Sequence, residues 1–214
     1  MLALDLQKNP EEVANTLTHG AGAVASAIAG TALVAMAALG GDRWQLLGAL
    51  VYACALVAVY ASSTLYHWEA DPVAKARLEL VDHCAIFGLI AGTYTPFMLV
   101  TLRDGIGLPL LGVIWALAAG GVAGKIIFGT GFRIASTLLY LAMGWLIVVA
   151  AAPMLAALPA LATALLVAGG LSYTVGTYFF CDERIPYCHA IWHLFVLAGS
   201  ACHFVAVATQ VLPR

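Results

Sequence analysis

The sequence predicts an all-α fold, a polytopic membrane protein whose seven helices cross the bilayer as one bundle. Three observations carry that prediction. Hydrophobic residues make up 63% of the 214-residue chain and charged residues only 9%, whereas soluble domains carry about 25% charged residues; mean hydropathy is +0.98. Apolar runs of about 20 residues, the length that crosses a hydrocarbon core as a helix, recur seven times. The connections between them are short and hold most of the charge. No stretch is polar enough for a separate water-soluble domain, so residues 1–214 read as a single seven-span domain. A net charge of −2 leaves no basic stripe for nucleic acid.

The spans are expected at 15–39, 45–67, 79–101, 107–128, 134–153, 158–180 and 188–211. Ahead of the first, MLALDLQKNPEEVANTL places Asp5, Glu11 and Glu12 where a secretory signal has a basic and then an apolar stretch. The first span is therefore expected to stay in the mature protein. Its small residues, GAGAVASAIAG, and those of LAAGGVAG in span four suit close helix contacts in lipid. GGDRW separates spans one and two, HWEADPVAKARLE two and three, TLRDGIG three and four, and KIIFGTGFR four and five. The boundary between five and six rests on Pro153 and Pro159 within an uncharged connection, APMLAALPA; CDERIPY precedes span seven. Trp44, Trp68, Tyr94 and Tyr178 fall near span ends, where an aromatic belt belongs.

Orientation follows from the basic residues, because short loops rich in Lys and Arg stay in the cytoplasm. Lys8, Lys75, Arg77, Lys125, Arg133 and Arg184 fall on the N-terminal side, against Arg43, Arg103 and Arg214 opposite. The N-terminus is therefore expected inside and the C-terminus outside, the reverse of the G-protein-coupled receptor arrangement. Cys181 and Cys188 then lie at the cytoplasmic end, where thiols stay reduced. Together with Cys54, Cys84 and Cys202 they read as small packing residues, not a disulfide framework.

Polar residues inside the spans converge on one depth. His67 closes span two in SSTLYHWE, Asp82 and His83 open span three in ELVDHCAIF, and His189 and His193 open span seven in CHAIWHLF. By the charge count all three positions are cytoplasmic ends. Residues i and i+4 share a helix face, so His189 and His193 can present their rings to one point, and His67 completes a three-histidine set. Zn²⁺ held by three protein ligands keeps a fourth position for water or substrate, the pattern of a catalytic site. Ser63 precedes His67 by one turn and faces the same way, within reach of water or substrate. Asp82 is placed to act as a base or hydrogen-bond partner toward that water. His83 lies about 100° around the helix from Asp82 and is expected to pack elsewhere or form a hydrogen bond. His203, about 15 Å deeper than His193, is too far for the same metal and reads as a histidine bonded to a neighbouring helix. His19 and Asn15 share a face of span one, either supporting the site or packing helices.

These motifs carry a resemblance. EEVANTLTHGAG, SSTLYH, DHCAIFGLIAGTYTPF and HAIWHLFVLAGSACHF, in that order, make the chain similar over nearly its whole length to the bacterial hemolysin III branch of the progestin and adipoQ receptor (PAQR) family. That family falls in a wider group including the alkaline ceramidases, with a shared Ser-x-x-x-His, Asp, His-x-x-x-His pattern that maps here to Ser63 and His67, Asp82, and His189 and His193. The resemblance implies zinc on the three histidines, Asp82 and Ser63 beside it, an inside N-terminus, and a multi-pass protein of the bacterial plasma (inner) membrane. The chain departs from the receptor members in the few residues before span one, which argues against extracellular hormone sensing, and in His83, where the adiponectin receptors carry a Tyr.

Two functions fit. One is a zinc-dependent intramembrane hydrolase acting on a lipid amide or ester. The other is a membrane-active or receptor-like protein in which zinc is a structural clasp tying spans two, three and seven. The hydrolase is preferred, since a clasp favours a closed four-ligand site. A pore is disfavoured, because no span carries a polar stripe from end to end.

Overall fold

The structure, a computed structural model, describes residues 9–129, 133–181 and 184–212. Asp5, Lys8 and Arg214, used above in reading the leader and the charge balance, lie outside the described residues. Seven helices are long and apolar enough to cross a membrane: α1 (Pro10–Gly40), α2 (Arg43–Trp68), α3 (Pro72–Thr101), α4 (Arg103–Phe128), α5 (Arg133–Ala157), α6 (Ala160–Cys181) and α7 (Cys188–Val211). Among the described residues there is no strand. Large apolar side chains cover the outside of the bundle, with Leu39, Ile127 and Ile134 all more than 70% exposed. Only a lipid surround makes that surface favourable, and the chain is a multi-pass membrane protein.

Two helices begin well before the apolar spans, and local capping explains both. The Asn9 side chain accepts the Glu11 backbone N–H at 3.1 Å, and Pro10 occupies the first turn, where its missing N–H costs nothing. Asp71 accepts the Ala74 N–H at 2.8 Å ahead of Pro72. Such caps are worth about 1 kcal/mol each, so α1 and α3 wind on beyond the expected bilayer boundary. Between α1 and α2, the Asp42 carboxylate accepts the N–H groups of Trp44 and Gln45 while Gln45 Oε1 accepts the Asp42 N–H at 2.8 Å. This reciprocal box makes the GGDRW turn tight.

The TLRDGIG connection is a kink more than a loop. Pro96 deprives α3 of a donor, the helix widens over Phe97–Thr101, and Gly105 leaves helical geometry before α4 resumes. Helix α5 does not stop at Pro153. It tightens over Leu146–Ala150 and restarts at Ala151, so Pro153 falls in a first turn that needs no donor there. The break comes instead at Leu158, which is extended, as a residue preceding Pro159 should be.

Each of α1, α2 and α3 packs against the next, α6 pairs with α7, and α7 returns to lie against α1, α2 and α3. Tyr52, Tyr60, Phe87, Met98, Ile114 and Val207 fill the core. Gly121 of α4 confirms the packing role read for LAAGGVAG: a Cβ there would collide with the Phe87 ring. Two expectations need correction. Tyr94 is not a belt residue; it is buried, and its hydroxyl donates to the Met143 carbonyl at 2.7 Å, pinning α5 to α3. Lys125, counted above with the KIIFGTGFR connection, lies wholly within α4 and is 1% exposed, so its value as a topology marker is weaker than that of Lys75 or Arg77. All five cysteines are free.

Candidate metal centre and cavity

The three histidines meet as their spacing predicts. One ring nitrogen from each of His67, His189 and His193 lies within 4.8 Å of the others. The rings of His189 and His193 are 4.7 Å apart, and that of His67 stands 5.0 and 5.1 Å from them. A zinc ion bound at about 2.0–2.1 Å to each nitrogen is in reach of this set after side-chain adjustment.

Hydrogen bonds decide which nitrogens are free to bind. His67 Nδ1 lies 3.0 Å from the Glu12 carboxylate, which also takes a bond from Lys75 Nζ at 2.9 Å. A carboxylate only accepts, so His67 carries its proton on Nδ1. Its Nε2 is then a bare lone pair, and that atom is buried without a partner. His193 Nδ1 lies 3.0 Å from Thr18 Oγ1, whose proton goes to the Ala14 carbonyl at 2.8 Å. The hydroxyl therefore accepts from His193, leaving Nε2 of that ring bare as well. Two imidazoles held in the metal-binding tautomer by the hydrogen bonds they donate behind them, one to a carboxylate, is the arrangement that supports bound zinc elsewhere. The donor set and the orphaned Nε2 fit a metal.

In the sequence Glu12 stands out only as an acid ahead of span one, and Thr18 not at all. The available signal was helical periodicity: Glu12, Asn15, Thr16 and His19 form one polar face at the start of α1, and the last three are buried. His19 resolves toward the supporting role. Its ring stacks on that of His193 with centroids 3.4 Å apart and shares a 2.7 Å hydrogen bond with the Ser63 hydroxyl.

Ser63 and Asp82 are both buried and line one cavity with His19, His189 and His193. Asp82 has no ion-pair partner among the described residues, and the Ser63 hydroxyl faces it. His83 corrects the expectation that it packs away from the site. It is buried, lines the same cavity, and its Nδ1 is unpartnered. The 100° offset is real, but the cavity is wide enough to touch both faces of α3. His203 bonds to the neighbouring helix as read, through Nε2 to the Leu166 carbonyl at 3.1 Å. The cavity measures about 210 Å³ and passes from the polar end to His203 between walls of Ile86, Leu89, Ile90 and Val196, with a wall on the far side from α5 and α6. The entrance to α7 is braced from α1: Tyr187, in the left-handed region at φ 57°, donates its N–H to Glu11. A left-handed residue costs about 1–2 kcal/mol, which this charge-assisted bond offsets.

Comparison with known proteins agrees with this architecture. A family model described as "Haemolysin-III related" matches residues 7–204. "Hemolysin-3" of Bacillus cereus is 47% identical over 203 residues, covering 95% of this chain and 93% of that protein. "Hemolysin-3 homolog" of Bacillus subtilis (strain 168) is 44% identical over 197 residues, 92% of each chain. The human "Monocyte to macrophage differentiation factor" is 32% identical over 210 residues, covering 92% of this chain and 83% of that one. With a family model matched over residues 7–204 and relatives 44–47% identical over more than nine-tenths of both chains, the chain belongs to the haemolysin-III related family.

Proposed function

We propose that this protein is a zinc-dependent hydrolase of lipid amides or esters, ceramidase-like in chemistry, working inside a bacterial plasma (inner) membrane with its N-terminus in the cytoplasm. One observation carries the reading: a carboxyl without an ion-pair partner among the described residues, Asp82, and a hydroxyl, Ser63, share the end of a mostly apolar cavity with His189 and His193 of the histidine cluster. Zinc, when bound by His67, His189 and His193, supplies a Lewis acid that polarises a carbonyl and acidifies water. Asp82 takes the proton from the attacking water and returns it to the leaving group. Ser63 orients that carboxyl, itself held by the His19 ring. Glu12 and Thr18 keep His67 and His193 in the tautomer that leaves Nε2 available. The apolar walls hold the acyl chain and keep bulk water from the reaction.

A second reading, zinc as a structural clasp in a membrane-active protein, draws support from the name of the Bacillus relatives, Hemolysin-3. Metal analysis of purified protein combined with turnover of a panel of lipid amides and esters separates the two. The hydrolase expects about one zinc per chain and cleavage abolished by chelation. Zinc without cleavage of any lipid, and a loss of thermal stability on chelation, would transfer the assignment to the clasp.

A further inference from the structure

His203 sits about 15 Å along α7 from His193, ten residues at 1.5 Å each, yet it borders the same cavity. Its seat is built. The Nε2–H donates to the Leu166 carbonyl at 3.1 Å, and the Tyr173 ring meets it edge-on at 5.4 Å. Gly169 leaves the only room that side permits, since a Cβ there would run into the imidazole. With the proton fixed on Nε2, Nδ1 is a lone-pair acceptor. It has no hydrogen-bond partner among the described residues, and its ring borders the cavity. An imidazole acceptor at membrane depth is costly unless something meets it.

The surrounding walls sharpen what that something is. Thr93 and Thr174 spend their hydroxyl protons on the carbonyls of Leu89 and Gly170, and Tyr173 and Ser200 bond to each other at 2.8 Å. That pair shares one proton and keeps one over, while the threonine hydroxyls and His203 Nδ1 can only accept from a ligand. A ligand hydroxyl can donate to Nδ1; a bare carbonyl or a carboxylate, which only accepts, cannot.

We propose that His203 Nδ1 is a second polar subsite that accepts a hydrogen bond from a hydroxyl on the ligand's acyl chain, selecting hydroxylated over plain chains. This rests on the reading that the histidine end of the cavity takes a lipid carbonyl or carboxyl. An extended chain covers about 3.5 Å per three bonds, so the hydroxyl belongs roughly twelve or thirteen bonds from that carbonyl.

The experiment measures binding, not turnover. Purified full-length protein in detergent, carrying a fluorescent fatty acid, is challenged with stearic acid and with stearic acids hydroxylated at successive positions. Wild type is expected to prefer a hydroxyl roughly twelve bonds from the carboxyl by about two- to tenfold, the size of one net hydrogen bond, and to show no preference for one near the carboxyl. His203→Leu should erase the preference while holding the plain chain, and His203→Gln, which keeps a donor for Leu166 and an acceptor for the ligand, should retain part of it. Equal affinity for all the acids in wild type overturns the proposal even if His203→Leu fails to fold. A preference that survives in His203→Leu also overturns it, as does failure of every acid to displace the probe. A wild type that shows the preference yet cleaves no lipid would end the hydrolase reading and leave the subsite standing.

Discussion

Removing the Glu12 carboxylate should weaken metal binding although Glu12 touches no metal. Its Oε2 accepts from His67 Nδ1–H at 3.0 Å and from Lys75 Nζ at 2.9 Å, so Glu12→Ala takes away both the tautomer lock on His67 and the partner of Lys75. Carboxylates placed behind a ligating histidine are worth about 10- to 100-fold in metal affinity, which is about 1.4–2.7 kcal/mol. Glu12→Gln should fall at the lower end, because its amide oxygen still accepts from Nδ1–H but without the charge. The assay is competition for zinc between purified protein and a chelating dye. Gln45→Ala is the control. It removes hydrogen bonds to the Gln210 and Leu212 carbonyls at the opposite end of the bundle, and should leave zinc affinity unchanged. Wild-type affinity in Glu12→Ala would refute the bracing role, and an equal loss in Gln45→Ala would show that affinity merely follows global stability.

Zinc content should drop far more in His193→Ala than in His203→Ala, measured by elemental analysis; equal losses would place the metal deeper than the three-histidine cluster. Asp82→Asn should keep most of its zinc while any lipid hydrolysis falls by about 10²- to 10⁴-fold, since an amide cannot take a proton at neutral pH; retained activity would remove Asp82 from the chemistry. A reporter fused after Arg214 should read external and one inserted near Asp71 cytoplasmic; an external reading at Asp71 would invert the orientation. Gly121→Val should destabilise the bundle by about 1–3 kcal/mol, the usual range for overpacking, because its side chain must displace Phe87; unchanged unfolding in detergent would mean that α4 is free to shift.

The spans were legible because a bilayer demands about 20 apolar residues whatever the tertiary packing, and α2, α4 and α7 match their expected limits to within a few residues. Helix ends were less so, since Asn9 with Pro10 and Asp71 with Pro72 continue a helix into water, where hydropathy is silent. The histidine cluster was legible for a different reason: His189 and His193 are related by helical spacing alone, and His67 needed only a common depth. What stayed hidden depends on which helix faces which. Glu12 and Thr18 reach their histidines only because α1 lies against α2 and α7. Tyr94 and Lys125 sit near span ends exactly as lipid-interface residues do, and only the packing of α4 and α5 turns them inward.

Division of labour among the helices follows from these contacts. On the proposed function, helices α2 and α7 supply the nitrogens, α3 supplies the carboxyl, and α1 supplies no ligand yet aims both sets. Within its first three turns Glu11 secures the turn into α7, Glu12 holds His67, Thr18 holds His193, and His19 holds Ser63. A clasp needs only the nitrogens in place. The bond from His19 to Ser63 does nothing for metal affinity that Glu12 and Thr18 do not already do; it fixes a hydroxyl beside Asp82. His19→Phe, which keeps a ring stacked on His193 but cannot bond Ser63, should therefore affect the two candidate functions differently: little change in zinc affinity, but a loss of turnover if Ser63 and Asp82 do chemistry. Zinc affinity and turnover falling together would mean that α1 is one structural brace, and the separation of ligand from carboxyl would lose its meaning.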